Sequence, residues 1–272
     1  MKNVKYVNCL NETFQLDQKN VFIQENDLYD YSWSTTSKND RISGLKKGIH
    51  SKQIAVVIKG KSADECNQIA NQMFGIMEKD VLSVRHGRLF VGDYYLKCYV
   101  TGSQKDEYVR ATGYLRVTLK ISTDFPHWIK ETTETFNYGT GSAGTNLDFN
   151  RDFPSDYTSN LIGKQLNNTD FVPSNFRINI YGACENPKVT IGGHDYEIFA
   201  SVEKNEYLTI DSVNKTIILT HTDGVRENCF NKRNKESYVF EKLPVGISNV
   251  SANGAFKFDV TLLEERSEPK WI

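Results

Sequence analysis

Apolar and polar residues alternate with a period of two through most of this chain, and that alternation settles the class of fold first. Leu115, Val117, Leu119 and Ile121 interleave with Arg116, Thr118 and Lys120. Phe176, Ile178 and Ile180 interleave with Arg177 and Asn179, and Phe256, Phe258, Val260 and Leu262 with Lys257, Asp259 and Thr261. Successive side chains of a strand point to opposite faces, so each segment predicts a strand with one face buried. Gly192-Gly193 separates 188–191 from 196–202, Asn214-Lys215 separates 208–211 from 216–220, and Thr222-Asp223-Gly224 supplies the next reversal. These are tight-turn signals at short spacing. From about 176 to 263 the pattern predicts an antiparallel β-sandwich rather than a βαβ sheet. An aromatic share of 12% with only 3 Met suits the same reading.

One segment has a helical period instead. Ser62-Ala63-Asp64-Glu65 fits a capping box, and Cys66, Ile69, Ala70, Met73, Ile76 and Met77 recur at three and four. This predicts a helix over 63–79 with one apolar stripe facing a core. With 272 residues the chain has room for two domains. Residues 124–128 close the last strand of the first half, and 136–170 lose periodicity while collecting Gly, Asn, Thr, Ser and Asp. The expected division is 1–130, strands plus one helix, and 131–272, a sandwich.

Charge and cysteine usage exclude several classes. Lys+Arg of 33 against Asp+Glu of 34 leave a net charge of -1, without the basic footprint of a nucleic-acid binder. Cysteines 9, 66, 98, 184 and 229 are odd in number and widely spread, which predicts reduced thiols. The N-terminal residues lack an apolar run, and nowhere do apolar residues approach the 18 or so of a membrane helix, so neither a signal peptide nor a membrane span is expected.

The motifs that could carry chemistry have plainer readings. Gly139-Thr140-Gly141-Ser142-Ala143-Gly144 matches G-x-G-x-x-G, but no helical stripe follows it, and a dinucleotide site needs one. His50, His86, His127, His194 and His221 form no ligand-spaced pair, and His194 and His221 read as solvated turn residues. Asp148, Asp152 and Asp156 read as exposed loop carboxylates, although a glycoside hydrolase could use two of them. Arg85-His86-Gly87-Arg88 and Lys46-Lys47 read as surface charge. No catalytic, cofactor or metal residue is predicted, which favours a binding or assembly protein.

The C-terminus is the sharpest signal. Leu262-Leu263-Glu264-Glu265-Arg266-Ser267-Glu268-Pro269-Lys270-Trp271 runs an alternating strand into R-S-E-P-x-W. It resembles the closing signature of distal tail (Dit) proteins from phages and prophages of Gram-positive bacteria. Ile180-Tyr181-Gly182-Ala183-Cys184-Glu185-Asn186-Pro187, Ile191 to Tyr196, Leu208 to Asp211 and Phe240 to Gly246 resemble the same family's second domain in order. Gly87 to Cys98 and Asp124 to Trp128 resemble the strand pair and exit of its first. In purely physical terms Pro269 stops the last strand and Trp271 supplies an apolar anchor, so Arg266, Ser267, Glu268, Pro269 and Trp271 are structural residues.

The resemblance implies a mainly β protein: a β-sandwich-like N-terminal domain with one α-helix and a hairpin, then a galectin-like antiparallel β-sandwich. It implies a hexameric ring joining the tail-tube protein to the tail-associated (Tal) protein and often holding receptor-binding proteins, with DNA passing through the lumen without specific binding. The location implied is the virion tail tip, assembled in the host cytoplasm. A different expectation, built on that galectin-like sandwich and warranted by the 12% aromatic content, is a carbohydrate-binding accessory module for host cell-wall attachment.

Overall fold

Each alternating segment becomes a strand, because its apolar half can be buried only by laying one pleated face on another layer. The computed structural model describes residues 3–137 and 164–271, and within them the chain is mainly β with one long helix. It forms two compact units: Met1–Lys130 together with Glu265–Ile272, and Glu131–Glu264. No helix of the described residues is long and apolar enough to cross a membrane.

The first unit holds β1 (Val4–Val7), β2 (Thr13–Gln15), β3 (Val21–Asn26), β4 (Ser34–Lys38), β5 (Arg41–Lys46) and β6 (His50–Lys59). After them come α1 (Ala63–Ser83), β7 (Gly87–Val91), β8 (Tyr94–Val109), β9 (Tyr114–Thr123) and the start of β10 (Trp128–Asn137). One antiparallel sheet runs β2-β1-β7-β8-β10 and another β3-β6-β9-β8. The long β8 serves both: it pairs with β7 up to Cys98 and with β9 from Tyr99 onward. Two register shifts, at Val100/Gly102 and Lys105/Glu107, let it turn between the layers. Leu115, Val117, Leu119 and Ile121 are buried against Ile54, Val56 and Ile58 in one core with the helix stripe.

The helix starts as its sequence predicts. Ser62 Oγ accepts from the Glu65 amide at 3.2 Å. Glu65 reaches back one residue further than the capping box specifies, accepting from the Lys61 amide at 2.6 Å. Cys66, Ala70, Met73, Ile76 and Met77 are buried. The helix continues a turn beyond 79, to Ser83, because Asp80 is also buried and bonded.

The second unit holds the rest of β10, β11 (Lys164–Asn168), β12 (Asn175–Tyr181), β13 (Cys184–Glu185), β14 (Lys188–Ile191), β15 (His194–Glu197) and β16 (Ser201–Val202). It continues through β17 (Tyr207–Asp211), β18 (Thr216–Thr220), β19 (Arg226–Asn228), β20 (Gly246–Ala252) and β21 (Lys257–Arg266). The sheet β19-β18-β17-β12-β21-β10 faces the sheet β11-β20-β14-β15 across a shared core. Phe176, Ile178, Ile180, Leu208, Ile210 and Phe258 of the first sheet meet Leu166, Val189, Ile191, Tyr196 and Val250 of the second, an antiparallel sandwich.

Several expectations need correcting. Residues 265–272, counted with the second segment on sequence grounds, belong to the first compact unit. Residues 136–170 are not all loop: Phe136 is buried at the end of β10, and Lys164–Asn168 is a strand whose polar composition hides its alternating burial. The Gly139–Gly144 string and Asp148, Asp152 and Asp156 lie outside the described residues. Gly192-Gly193 does make a two-residue turn, with φ of 59° and 84°. Asn214-Lys215 does not. Asp211 pairs with Thr216, and the loop between them is held by Asp211 Oδ1 accepting from the Val213 and Asn214 amides at 2.9 Å each. The strand expected over 196–202 breaks after Glu197, where Ile198 turns to bridge Arg233. All five cysteines are free thiols, with Cys66, Cys98 and Cys229 buried.

Candidate assembly surfaces

Among the described residues no group of His, Cys, Asp or Glu is placed to hold a metal ion. The features that stand out are exposed apolar patches and the contacts that position them.

The first patch is the β4–β5 hairpin. No residue of either strand is buried. Ile42 is 68% and Leu45 57% exposed, with Ile49, Tyr31 and Trp33 exposed beside the hairpin in sequence. An isolated two-stranded ribbon is at best marginally stable in water, and large apolar side chains left exposed on it make it a candidate interaction surface. The segment 1–50 gave no such signal in sequence, since a hairpin without a buried face has no core-facing half to alternate.

The root of the hairpin is tied to the C-terminal signature. Lys47 Nζ donates to Ser267 Oγ at 2.8 Å and to the Pro126 carbonyl at 3.1 Å, and lies 4.6 Å over the Trp33 ring. Burial, with Lys52 nearby, pushes its ammonium down to about 8. Lys47 is therefore not the surface charge that Lys46-Lys47 suggested. Pro269 is buried, and Trp271 stacks on Tyr29 with centroids 4.1 Å apart while staying 75% exposed. Trp271 thus anchors the terminus by one ring face and leaves the other open. Burial, then the Glu268 carboxylate, raises the Tyr29 phenol.

The second patch is at the C-terminal end of α1, where Leu82, Val84 and Leu10 are widely exposed. It is held by a buried polar cluster. Asp80 is fully buried; its Oδ2 accepts from Tyr6 OH at 2.6 Å and its Oδ1 from the Cys9 amide at 2.7 Å. Gly87, inside the Arg85-His86-Gly87-Arg88 cluster, is packed so tightly that a Cβ would overlap the Asp80 carboxyl and the Tyr6 phenol. Arg85, His86 and Arg88 then line a cleft of about 400 Å³ with Asn8, Cys9, Asn11 and Val84.

Val84 caps the helix at φ 52° and ψ 40°, the left-handed region that suits glycine and strains a β-branched residue. Left-handed backbone costs a residue with a Cβ roughly 1–2 kcal/mol. Val84→Gly should accordingly stabilise the isolated protomer by about 1 kcal/mol in urea unfolding.

In the second unit two histidines stay partly exposed, yet each has a fixed partner. His194 opens β15, with Nε2 3.0 Å from the Tyr238 carbonyl. His221 Nδ1 lies 2.7 Å from Glu206 and Nε2 3.4 Å from Glu227, which also binds Lys232 at 2.6 Å. The partners come from separate turns and strands, so no local spacing announced them. The hydrogen bond to Glu206 raises the His221 imidazole above its ordinary value. A His raised on folding stabilises fully below its unfolded pKa, near 6.5, and loses that contribution as pH climbs through the folded value. An NMR titration should find His221 protonating above the ordinary histidine range, and Glu206→Gln should bring it back down.

No protein-family model matches the sequence, and no curated protein does. Solved structures do match it in fold. The SPP1 Dit protein, described as a paradigm of the hub adsorption apparatus in phages infecting Gram-positive bacteria, aligns over 97% of this chain and 99% of its own, with a TM-score of 0.59 at 9% identity. A chain of the phage P2 baseplate in its activated conformation with Ca aligns over 98% and 99%, with a TM-score of 0.59 at 12% identity. The corresponding structure with Sr gives a TM-score of 0.61 at 12% identity and the same coverage. In both compact units the described residues share the fold of these proteins.

Proposed function

We propose that the chain is a distal tail protein of a phage tail tip, a non-enzymatic hub subunit that assembles as a hexameric ring. The observation that carries this reading is the fold likeness across both compact units, covering 97–98% of this chain and 99% of each neighbour. A fold alone does not fix a function. The surfaces of the first unit support the reading further. A closed ring needs head-to-tail contacts, in which one patch of each protomer meets a different patch of the next. The β4–β5 hairpin and the end of α1 are two such patches, each exposing large apolar side chains. The strained Val84 fits the same logic, since an apolar group kept at a conformational cost is explained by what it touches in the assembly. Val84→Gly should therefore weaken assembly while stabilising the protomer.

In this reading the first unit forms the ring and the galectin-like sandwich docks other tail components. The ring joins the tail-tube protein to the Tal protein and to receptor-binding proteins. DNA crosses the lumen without specific binding, consistent with a net charge of -1. The protein is assembled in the host cytoplasm and resides in the virion. Light scattering on the purified chain tests the proposal: a mass near six subunits supports it, and a protomer that stays single at high concentration and in the presence of tail-tube and Tal proteins defeats it.

A further inference from the structure

The second unit carries a cleft apart from the two patches assigned to the proposed ring. It lies between the β17–β18 loop, which supplies Lys215, and the segment from Phe230 to Phe240, and it encloses about 580 Å³. That volume falls within the range of small-molecule sites. Its apolar wall is aromatic: Phe230 and Phe240 stack with centroids 6.0 Å apart, and Tyr238 stands edge-on to Phe240 at 5.9 Å. Tyr238 is 56% exposed, presenting an aromatic ring to the solvent.

Cations are held against these rings. Lys215 Nζ lies 5.4 Å from the centroids of both Tyr238 and Phe240, and the Arg233 guanidinium 4.0 Å over Phe230. Among the described residues neither has a carboxylate within ion-pair distance, whereas Lys232 next door is paired with Glu227. Arg233 spends Nη1 on the Phe230 carbonyl at 2.7 Å, leaving its other N–H donors for a ligand. Lys235 adds a third positive charge to the lining and Glu236 one negative, so the cleft is cationic on balance. Asn234 and Ser237 are committed to Glu197 and the Asp195 carbonyl, which fixes the wall that carries the rings.

An exposed aromatic face suits the apolar face of a sugar ring, and unpaired Lys and Arg suit an anionic substituent on it. We propose that this cleft binds an anionic saccharide, a sugar bearing carboxylate or phosphate groups, with Tyr238 as the stacking platform and Lys215 and Arg233 as the anion-binding pair. This binding function is independent of the ring proposal and survives if the chain proves monomeric.

Calorimetric titration of the full chain tests it, with trigalacturonate as the carboxylate-bearing probe, glucose 1-phosphate as the phosphate-bearing one, maltotriose as the neutral control and hexaglutamate as the acidic peptide. At least one anionic sugar should bind about tenfold more tightly than both controls, and the tighter of the two identifies the charged group. Lys215→Gln and Tyr238→Ala, both at exposed side chains, should each weaken that binding about tenfold with the melting temperature unchanged. The proposal is overturned if neither anionic sugar binds up to about 10 mM, if maltotriose or hexaglutamate binds as well as they do, or if binding survives either substitution.

Discussion

Ile42→Asp combined with Leu45→Asp is expected to leave a folded protomer that no longer assembles. Both side chains are more than half exposed in the protomer, so replacing them removes little that holds it together. In a subunit contact the balance reverses. Each apolar side chain fully buried there contributes roughly 1.5–3 kcal/mol, and each carboxylate put in its place must be desolvated without a partner. A combined loss of at least about 4 kcal/mol weakens each contact by about a thousandfold. Light scattering should then report single protomers at concentrations where the unmodified chain is expected to give about six, with the circular dichroism spectrum and melting temperature retained. Unchanged assembly would exclude the hairpin as an interface element.

The second large effect falls inside the protomer. Asp80→Ala should destabilise the first unit by about 3–5 kcal/mol, because two hydrogen-bond donors lose their acceptor at a fully buried site and a small void is left. The orphaned groups are the Tyr6 hydroxyl and the Cys9 amide, which now bond Asp80 at 2.6 and 2.7 Å. Burial, with Cys98 and Asp80 adding to it, holds the Tyr6 phenol well above its ordinary value, so it stays a neutral donor. Asp80→Asn keeps an acceptor for Cys9 and can donate to Tyr6, so it should cost only about 1–2 kcal/mol. Gly87→Ala should do comparable damage to Asp80→Ala, since its methyl group would overlap both partners of the Tyr6–Asp80 bond. Denaturant midpoints for the three variants check this; an Asp80→Ala protein as stable as the parent would refute the role given to the cluster.

The strands of both cores were legible because burial of one face writes itself into alternation, as at 115–121 and 176–180. The helix was legible for the same reason at a different period, and its start more sharply than its end. Ser62 and Glu65 act locally, whereas the last turn depends on Asp80 meeting Tyr6 and Cys9, more than seventy residues away in sequence. The terminal R-S-E-P-x-W was visible as a motif, but its attachment to the first unit through Lys47 and Tyr29 was not, since nothing near residue 270 encodes a partner at 47 or 29. The exposed apolar patches proposed for assembly were the least legible part. The β4–β5 ribbon exposes every side of itself, and Val84 is one valine whose meaning lies in a φ of 52°. The cationic cleft likewise needs Lys215 and Tyr238 brought together from two separate loops.

The most direct test of the hub proposal is an image of the particle itself. On this proposal, electron microscopy of the purified chain, alone and mixed with tail-tube and Tal proteins, should show sixfold rings around an open centre walled by the first unit. Class averages in which the subunit sits singly on the outside of a tail, with no opening lined by it, would contradict the account.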